Sequence, residues 1–280
     1  MIGSSHVKSG SPCQDASAGE IVSPAGASVF LGVVSDGAGS APLSQVGART
    51  ACRIWRDRAE ARLAEGGGVL ALDHAFALET LAAFQAAVGR LARRLDRPLR
   101  DFACTLLFAA VDEEHGAFAQ IGDGAIVVGR AGETEMGGAP RYDWVFWPEH
   151  GEYVNQTRFA TEAGAAAHLA HAALRGPLDE LALFSDGLEN LVLDTRRRVA
   201  HGRFFEPMFQ AVRRAPAGRS EPLCRSLERF LASRTVEGRT DDDKSLILAS
   251  RRASEPAPPL PLAVAGGAPH AAHHGSNEPR

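Results

Sequence analysis

The feature that most constrains this fold is a run of β-branched and apolar residues that stops at a single carboxylate. Residues 29–34 read Val-Phe-Leu-Gly-Val-Val, and Ser35, Asp36 and Gly37 follow at once. Such a run predicts a buried strand. A carboxylate at its end must be hydrogen-bonded or bound to a metal, because an unpaired buried charge costs several kcal/mol or more.

The same order of residues occurs again much later in the chain. Leu181–Phe184 is a second apolar run, and it is followed by Ser185, Asp186 and Gly187. A third acidic group, residues 241–243, stands directly before the strand-like residues 245–249. The three groups together indicate carboxylates that converge on cations, whereas a single Asp-Gly after a strand is most simply a turn.

The remaining periodicity predicts a mixture of strands and paired helices. Together they suggest two antiparallel sheets packed on each other, with helices on both outer faces, in the α+β class. Residues 130–165 look irregular, and residues 188–234 look mostly helical. The predicted strands are 29–35, 105–111, 116–121, 125–129, 181–185 and 245–249, and the predicted helices are 42–64, 72–95 and 163–174.

Composition excludes several classes of function. The chain has 280 residues and a net charge of −4, so neither a nucleic acid nor a membrane surface is an expected partner. Four scattered cysteines without a Cys-x-x-Cys pair argue against a zinc finger or a disulfide scaffold and favour the cytoplasm. We expect residues 1–250 to form the functional domain and residues 251–280, rich in Pro, Ala and His, to be a disordered tail.

Five acidic residues stand at the predicted ends of elements and define the chemistry. Hard divalent cations such as Mg²⁺ and Mn²⁺ prefer oxygen ligands, and two of them side by side activate a water for attack on a phosphate ester. A glycine after an aspartate lets the backbone approach closely and offer its carbonyl as a ligand. The five are Asp15, Asp36, Asp123, Asp186 and Asp242.

These motifs resemble those of the metal-dependent type 2C protein serine/threonine phosphatases, and the bacterial branch is the closer match. Each motif is loose alone, but six in the correct order make a specific signal that covers about residues 3–250. They are residues 14–16 (Gln-Asp-Ala), 33–39 (Val-Val-Ser-Asp-Gly-Ala-Gly), 104–106 (Cys-Thr-Leu), 121–124 (Ile-Gly-Asp-Gly), 183–188 (Leu-Phe-Ser-Asp-Gly-Leu) and 241–246 (Asp-Asp-Asp-Lys-Ser-Leu).

The resemblance implies a four-layer α-β-β-α sandwich with two Mn²⁺ or Mg²⁺ ions at one end of the sheets. It implies that Asp36 bridges both ions, that Gly37 gives a carbonyl to one, and that Asp186 and Asp242 hold the other. Asp15 would bind a metal-ligated water, and Asp123 matches a position of a third, weaker metal. Asp242 is preferred to Asp243 because Asp243 stands in the Asn place of the family's Asp-Asn-x-Thr/Ser pattern.

Two departures from the family matter for the chemistry. Many members carry a His after the Asp-Gly, proposed to protonate the leaving alkoxide, and Ala38 stands there in this chain. The Arg that binds the substrate phosphate is also missing, and the nearest basic residues are His6 and Lys8. We regard both as candidate phosphate-binding residues and prefer His6. The candidate catalytic residues are Asp15, Asp36 and His6. The alternative is that His6 and Lys8 are simply solvated side chains near the N-terminus.

The resemblance therefore implies hydrolysis of phosphoserine and phosphothreonine by direct attack of a metal-bridging hydroxide. A phosphoprotein would be the substrate, and a cognate serine/threonine kinase or its targets the expected partners. The alternative is a catalytically impaired phosphatase-like domain that binds a phosphoprotein or a kinase. Loss of the leaving-group acid favours that alternative, and the full set of carboxylates argues against it.

Overall fold

The larger of two antiparallel sheets is built from five strands. The computed structural model describes residues 1–134, 140–146, 157–194 and 199–252. In spatial order the five strands are β1 (Ala16–Val22), β2 (Val29–Ser35), β3 (Leu106–Val111), β4 (His115–Ile121) and β7 (Ala170–Arg175).

The smaller sheet is also antiparallel and lies against the first. Its order is β11 (Leu246–Ser250), β8 (Glu180–Phe184), β5 (Ala125–Thr134) and β6 (Pro140–Trp144). Two short strands, β9 (Leu193–Asp194) and β10 (Val199–Ala200), form a separate pair.

Helices cover the outer face of each sheet. Helices α2 and α3 pack on the larger sheet, and α5 packs on β11 and β6 of the smaller one. The helices are α1 (Ser4–Ser9), α2 (Ser44–Ala64), α3 (His74–Leu95), α4 (Glu189–Val192), α5 (Gly202–Arg214), α6 (Glu221–Leu231) and α7 (Arg234–Glu237).

The unbroken apolar runs of the central strands follow from this layering. In β2, Leu31 and Val33 face the core under α2 and α3, whereas Val34 faces the core between the sheets. In β8, Phe184 faces the helical side and Leu183 faces the space between the sheets. Because successive side chains of a strand point to opposite faces, a strand between two apolar layers is apolar at every position.

The predicted fold class, an α-β-β-α sandwich of two antiparallel sheets, is confirmed. Most predicted strands and the two long helices lie within a few residues of the observed ones. The interpretation of residues 130–165 as irregular is wrong where β5 continues to Thr134 and β6 begins at Pro140. Strand β1 was not predicted, because its residues are only partly buried at the edge of the sheet. Most of the expected tail, residues 253–280, lies outside the described residues.

The helix predicted over residues 163–174 is wrong. Residues 165–168 form one 3₁₀ turn, and residues 170–175 form strand β7, which hydrogen-bonds to β4. Alanine favours helices by intrinsic propensity, but pairing with the sheet edge outweighs that preference here. His168 and His171 therefore do not share a helix; His171 Nε2 contacts the Leu72 carbonyl at 3.0 Å.

Candidate active site

Strand register places the five acidic residues at one edge of the sandwich. Ala16 pairs with Ser35, so Asp15 and Asp36 stand side by side at the ends of β1 and β2. In the other sheet Phe184 pairs with both Leu246 and Ala125. The segments that carry Asp186, Asp242 and Asp123 therefore leave the smaller sheet at a common edge.

Three of these carboxyls are in direct contact. Asp36 lies within hydrogen-bonding reach of both Asp15 and Asp186. The carboxylates of Asp123 and Asp242 are close enough to act on Asp186 electrostatically. Asp36 is thus the central member of the group.

Burial of this group changes its protonation. Burial raises the pKa of Asp15 to about 6, although hydrogen bonds with Asp36, Ser185 and Ser245 act in the opposite direction. Burial, and then the Asp15 carboxylate, raises the pKa of Asp36 well above its ordinary value. Burial also raises the pKa of Asp186. The cluster therefore favours bound positive charge, either as protons or as cations.

Hydroxyl groups hold two of the carboxylate-bearing segments in place. Ser185 Oγ donates to Asp15 Oδ2 at 2.8 Å and accepts the Ser245 N–H at 3.0 Å. Thr105 Oγ1 accepts the Asp36 N–H at 3.0 Å. Sequence reasoning did not assign Ser185 a role in the site. The serine that lies between each apolar run and its Asp-Gly pair is the sequence signal that could have identified Ser185.

The three consecutive aspartates of residues 241–243 have different environments. Asp241 and Asp242 are exposed, whereas Asp243 is only 2% exposed. Asp242 Oδ1 accepts the Asp243 N–H at 2.8 Å, and its charge acts on Asp186. Asp243 Oδ1 and Oδ2 instead accept backbone N–H groups of Gly3 and Gln14. The charge of Asp242 thus acts on Asp186, whereas that of Asp243 acts on Asp15.

Gly37 stands where no side chain can be accommodated. A Cβ there would lie 2.7 Å from the Gln14 carbonyl oxygen and 2.8 Å from Ser44 Cβ. Gly37 also forms an isolated bridge with Cys104, which ties the turn after Asp36 to the segment before β3. Close approach of the backbone at this point requires glycine.

The donor set fits a hard divalent cation. Among the described residues, no three His, Cys, Asp or Glu side chains form a group that could hold a metal ion. Asp15 and Asp186 nevertheless each have a buried Oδ1 that accepts no hydrogen bond from described residues. Buried oxygens that lack donors are the ligands that Mg²⁺ and Mn²⁺ prefer, and the set contains neither thiolate nor imidazole.

The two candidate phosphate-binding residues lie in different surroundings. His6 Nδ1 lies 2.8 Å from Asp243 Oδ2, and its side chain is 13% exposed. Lys8 is exposed on α1. Asp123, the candidate for a third metal, accepts a hydrogen bond from the Thr157 hydroxyl. Residues 147–156 lie outside the described part of the chain.

A cavity of about 430 Å³ opens beside Ala38, two residues after Asp36. Its walls come from the loop after β2, from the 3₁₀ turn Leu99–Phe102 and from the segment that precedes β7. Arg100 and Glu162 contribute charged groups, and Phe159 contributes an aromatic ring.

Comparison with known proteins decides the family. The sequence profile of the family named Protein phosphatase 2C matches residues 2–232. The chain belongs to this family. The resemblance seen in the sequence is thereby confirmed, and with it the interpretation as a protein phosphatase, which is a hydrolase. Members of the family are metal-dependent, and the comparisons do not favour an impaired phosphatase-like domain.

Individual members of the phosphatase 2C family agree with this assignment. Serine/threonine-protein phosphatase 3 of Escherichia coli is 32% identical over 249 residues, which cover 89% of this chain and 94% of that protein. A serine/threonine phosphatase of S. agalactiae has a TM-score of 0.54 at 15% identity, with 85% and 92% of the two chains covered. For the phosphatase Stp1 of Staphylococcus aureus the TM-score is 0.52 at 14% identity, with 86% and 90% covered. The two structures support the fold.

Proposed function

We propose that this protein is a metal-dependent phosphatase that hydrolyses phosphoserine and phosphothreonine in proteins. The contact of the Asp36 carboxyl with both Asp15 and Asp186, at the edge where the two sheets meet, is the observation that carries the proposal. Membership of the phosphatase 2C family supplies the reaction class.

Four groups are proposed to hold two Mn²⁺ or Mg²⁺ ions. Asp36 would bridge them, the Gly37 carbonyl would bind one, and Asp186 and Asp242 would bind the other. Asp123 is the candidate for a third ion. When bound, such ions lower the pKa of a coordinated water and neutralise phosphate oxygens. The buried oxygens of Asp15 and Asp186 that lack donors support this assignment.

The protein groups have separate tasks around that centre. Asp15, oriented by the Ser185 hydroxyl, would accept a hydrogen bond from the attacking water. Thr105 fixes the backbone of Asp36. His6 and Lys8 are the proposed phosphate-binding groups, and His6, as the more enclosed of the two, is also a candidate catalytic residue.

A phosphoprotein is the proposed substrate, and a cognate serine/threonine kinase or one of its targets is the proposed partner. The cytoplasm is the proposed location, which the four free cysteines support. Within the described ranges, no helix has the length and apolar character needed to cross a membrane.

Hydrolysis of a phosphoserine peptide and of p-nitrophenyl phosphate tests the proposal. Activity should require Mn²⁺ or Mg²⁺ and should be lost in Asp36→Asn and Asp186→Asn. Asp57→Asn changes an exposed aspartate on α2 and serves as the matched control. Full activity of Asp36→Asn, or metal-independent turnover by the wild type, would refute the proposal.

A further inference from the structure

Asp243 is the most deeply buried aspartate beside the site, and three donors from one segment converge on it. It is 2% exposed. The Gly3 N–H donates to Oδ1 at 2.6 Å, and the Gln14 N–H donates to Oδ2 at 2.6 Å. His6 Nδ1 lies 2.8 Å from Oδ2. All three donors belong to the first 14 residues, which directly precede Asp15.

These contacts determine how the His6 ring is held. A carboxylate that accepts two backbone N–H groups is an acceptor, so the short contact with His6 requires a proton on Nδ1. Nε2 is then the ring nitrogen left for another partner, and in the imidazolium it carries the second N–H. An Asp that binds one nitrogen of a histidine fixes both the tautomer and the ring orientation.

Both residues of this pair occupy positions where the sequence departs from its family. Asp243 stands in the Asn place of the last motif, and His6 is one of two basic residues near the position of the missing phosphate-binding Arg. An asparagine at position 243 could not accept hydrogen bonds from all three groups, because its NH₂ group would face a backbone N–H. The structure thus joins two separate departures through one hydrogen bond.

The pair lies between two proposed parts of the active centre. On one side, the Asp243 carboxylate binds the backbone of Gln14, next to Asp15. On the other side, Asp243 follows Asp242 directly, and its own N–H donates to the Asp242 carboxylate. The His6 side chain is 13% exposed, so the ring is held firmly and part of it is open.

We propose that Asp243 is a positioning residue, which holds the ring of the His6 imidazolium so that its Nε2–H donates to the phosphate group of the substrate. The pair takes the place of the arginine that the family uses. This inference rests on the proposed phosphatase function and adds to it the residue that orients the phosphate-binding group.

Inhibition by inorganic phosphate and the KM for a phosphoserine peptide test the pair. His6→Asn keeps an amide N–H in place of Nδ1–H but has no counterpart of Nε2. Asp243→Asn keeps the size of the side chain but loses an acceptor. Loss of a charge-assisted hydrogen bond corresponds to about 10- to 100-fold weaker binding. In each variant, the inhibition constant of phosphate and the KM should therefore both rise by about that factor, and kcat should change less.

The double variant and a matched control separate positioning from folding. His6→Asn combined with Asp243→Asn should be no weaker than the weaker single variant, because Asp243 acts through His6. Ser5→Ala removes a contact between the same segment and Asp241 and should leave phosphate inhibition unchanged. Binding of Mn²⁺, measured by calorimetry, should be the same in His6→Asn and in the wild type.

Unchanged phosphate inhibition in His6→Asn would overturn the inference, even if Asp243→Asn were impaired or unfolded, because Asp243 would then serve only the fold. Additive losses in the double variant would also overturn it. A failure of the proposed function is distinguishable, since Asp36→Asn would then retain activity.

Discussion

When EDTA has removed metal ions, the free energy of unfolding should fall as the pH rises through the range in which Asp15 ionises. Burial raises the pKa of Asp15 from an ordinary value of 3.8 to about 6. Between these values the folded protein holds more protons than the unfolded chain, so the free energy of unfolding decreases with rising pH. The contribution of protonated Asp15 is complete below about pH 4 and is lost above about pH 6.

Asp15→Asn should remove the part of this dependence that comes from Asp15, and it should leave the part that comes from Asp36 and Asp186, whose pKa values burial also raises. A rise in pKa from 3.8 to about 6 corresponds to up to about 3 kcal/mol. Asparagine can still accept the hydrogen bond from Ser185 Oγ, which lies 2.8 Å from Asp15 Oδ2. We therefore expect the variant and the wild type to be similarly stable near pH 4, and the variant to be more stable by up to about 3 kcal/mol near pH 7.

Urea unfolding in EDTA, followed by the fluorescence of buried Trp55, measures this difference between about pH 4 and pH 8. Asp57→Asn, an exposed change, should follow the wild type at every pH. Added Mn²⁺ should stabilise the wild type more at the higher pH. Parallel curves for Asp15→Asn and the wild type would refute the account of the buried carboxyl.

Three further changes test other parts of the structure. Gly37→Ala should abolish activity and lower the free energy of unfolding by more than about 1 kcal/mol, because its Cβ would lie 2.7 Å from a backbone oxygen. Gly39→Ala is the control, because its Cβ would have no atom nearer than 4.0 Å. It should behave like the wild type in activity and thermal unfolding assays. Thr105→Val should lower kcat about tenfold and destabilise the protein by about 1–3 kcal/mol, because the Asp36 N–H loses its acceptor. Arg213→Met should destabilise the protein by about 2–4 kcal/mol in urea unfolding, since buried Glu180 loses its ion pair. Its kcat should stay normal, because Glu180 lies at the end of β8 that is farther from the carboxylate cluster.

The central strands were predictable, and the edge strands were not. Strands such as β2 and β8 lie between two apolar layers, so their runs of apolar residues carry a clear signal. The edge strands β1 and β7 are only partly buried, and their small residues do not alternate clearly. What makes residues 170–175 a strand is the hydrogen-bonding edge of β4, which the local sequence does not contain.

The carboxylate cluster was predicted from the strand-Asp-Gly pattern, since residues at the ends of neighbouring strands must lie close together. Strand register then brings Asp36, Asp186 and Asp15 into contact. The roles of all the predicted site residues remain predictions. The contact between His6 and Asp243 was not visible in the sequence, because 237 positions separate the two residues.

That separation has a consequence for biosynthesis. Gly3, His6 and Gln14 all depend on one aspartate that the ribosome adds more than 220 residues after them. While the chain is being made, its first segment has no partner, and contacts between such distant residues form late in folding. A nascent chain should therefore be inert until almost the whole domain has emerged, so that dephosphorylation begins only with a finished enzyme.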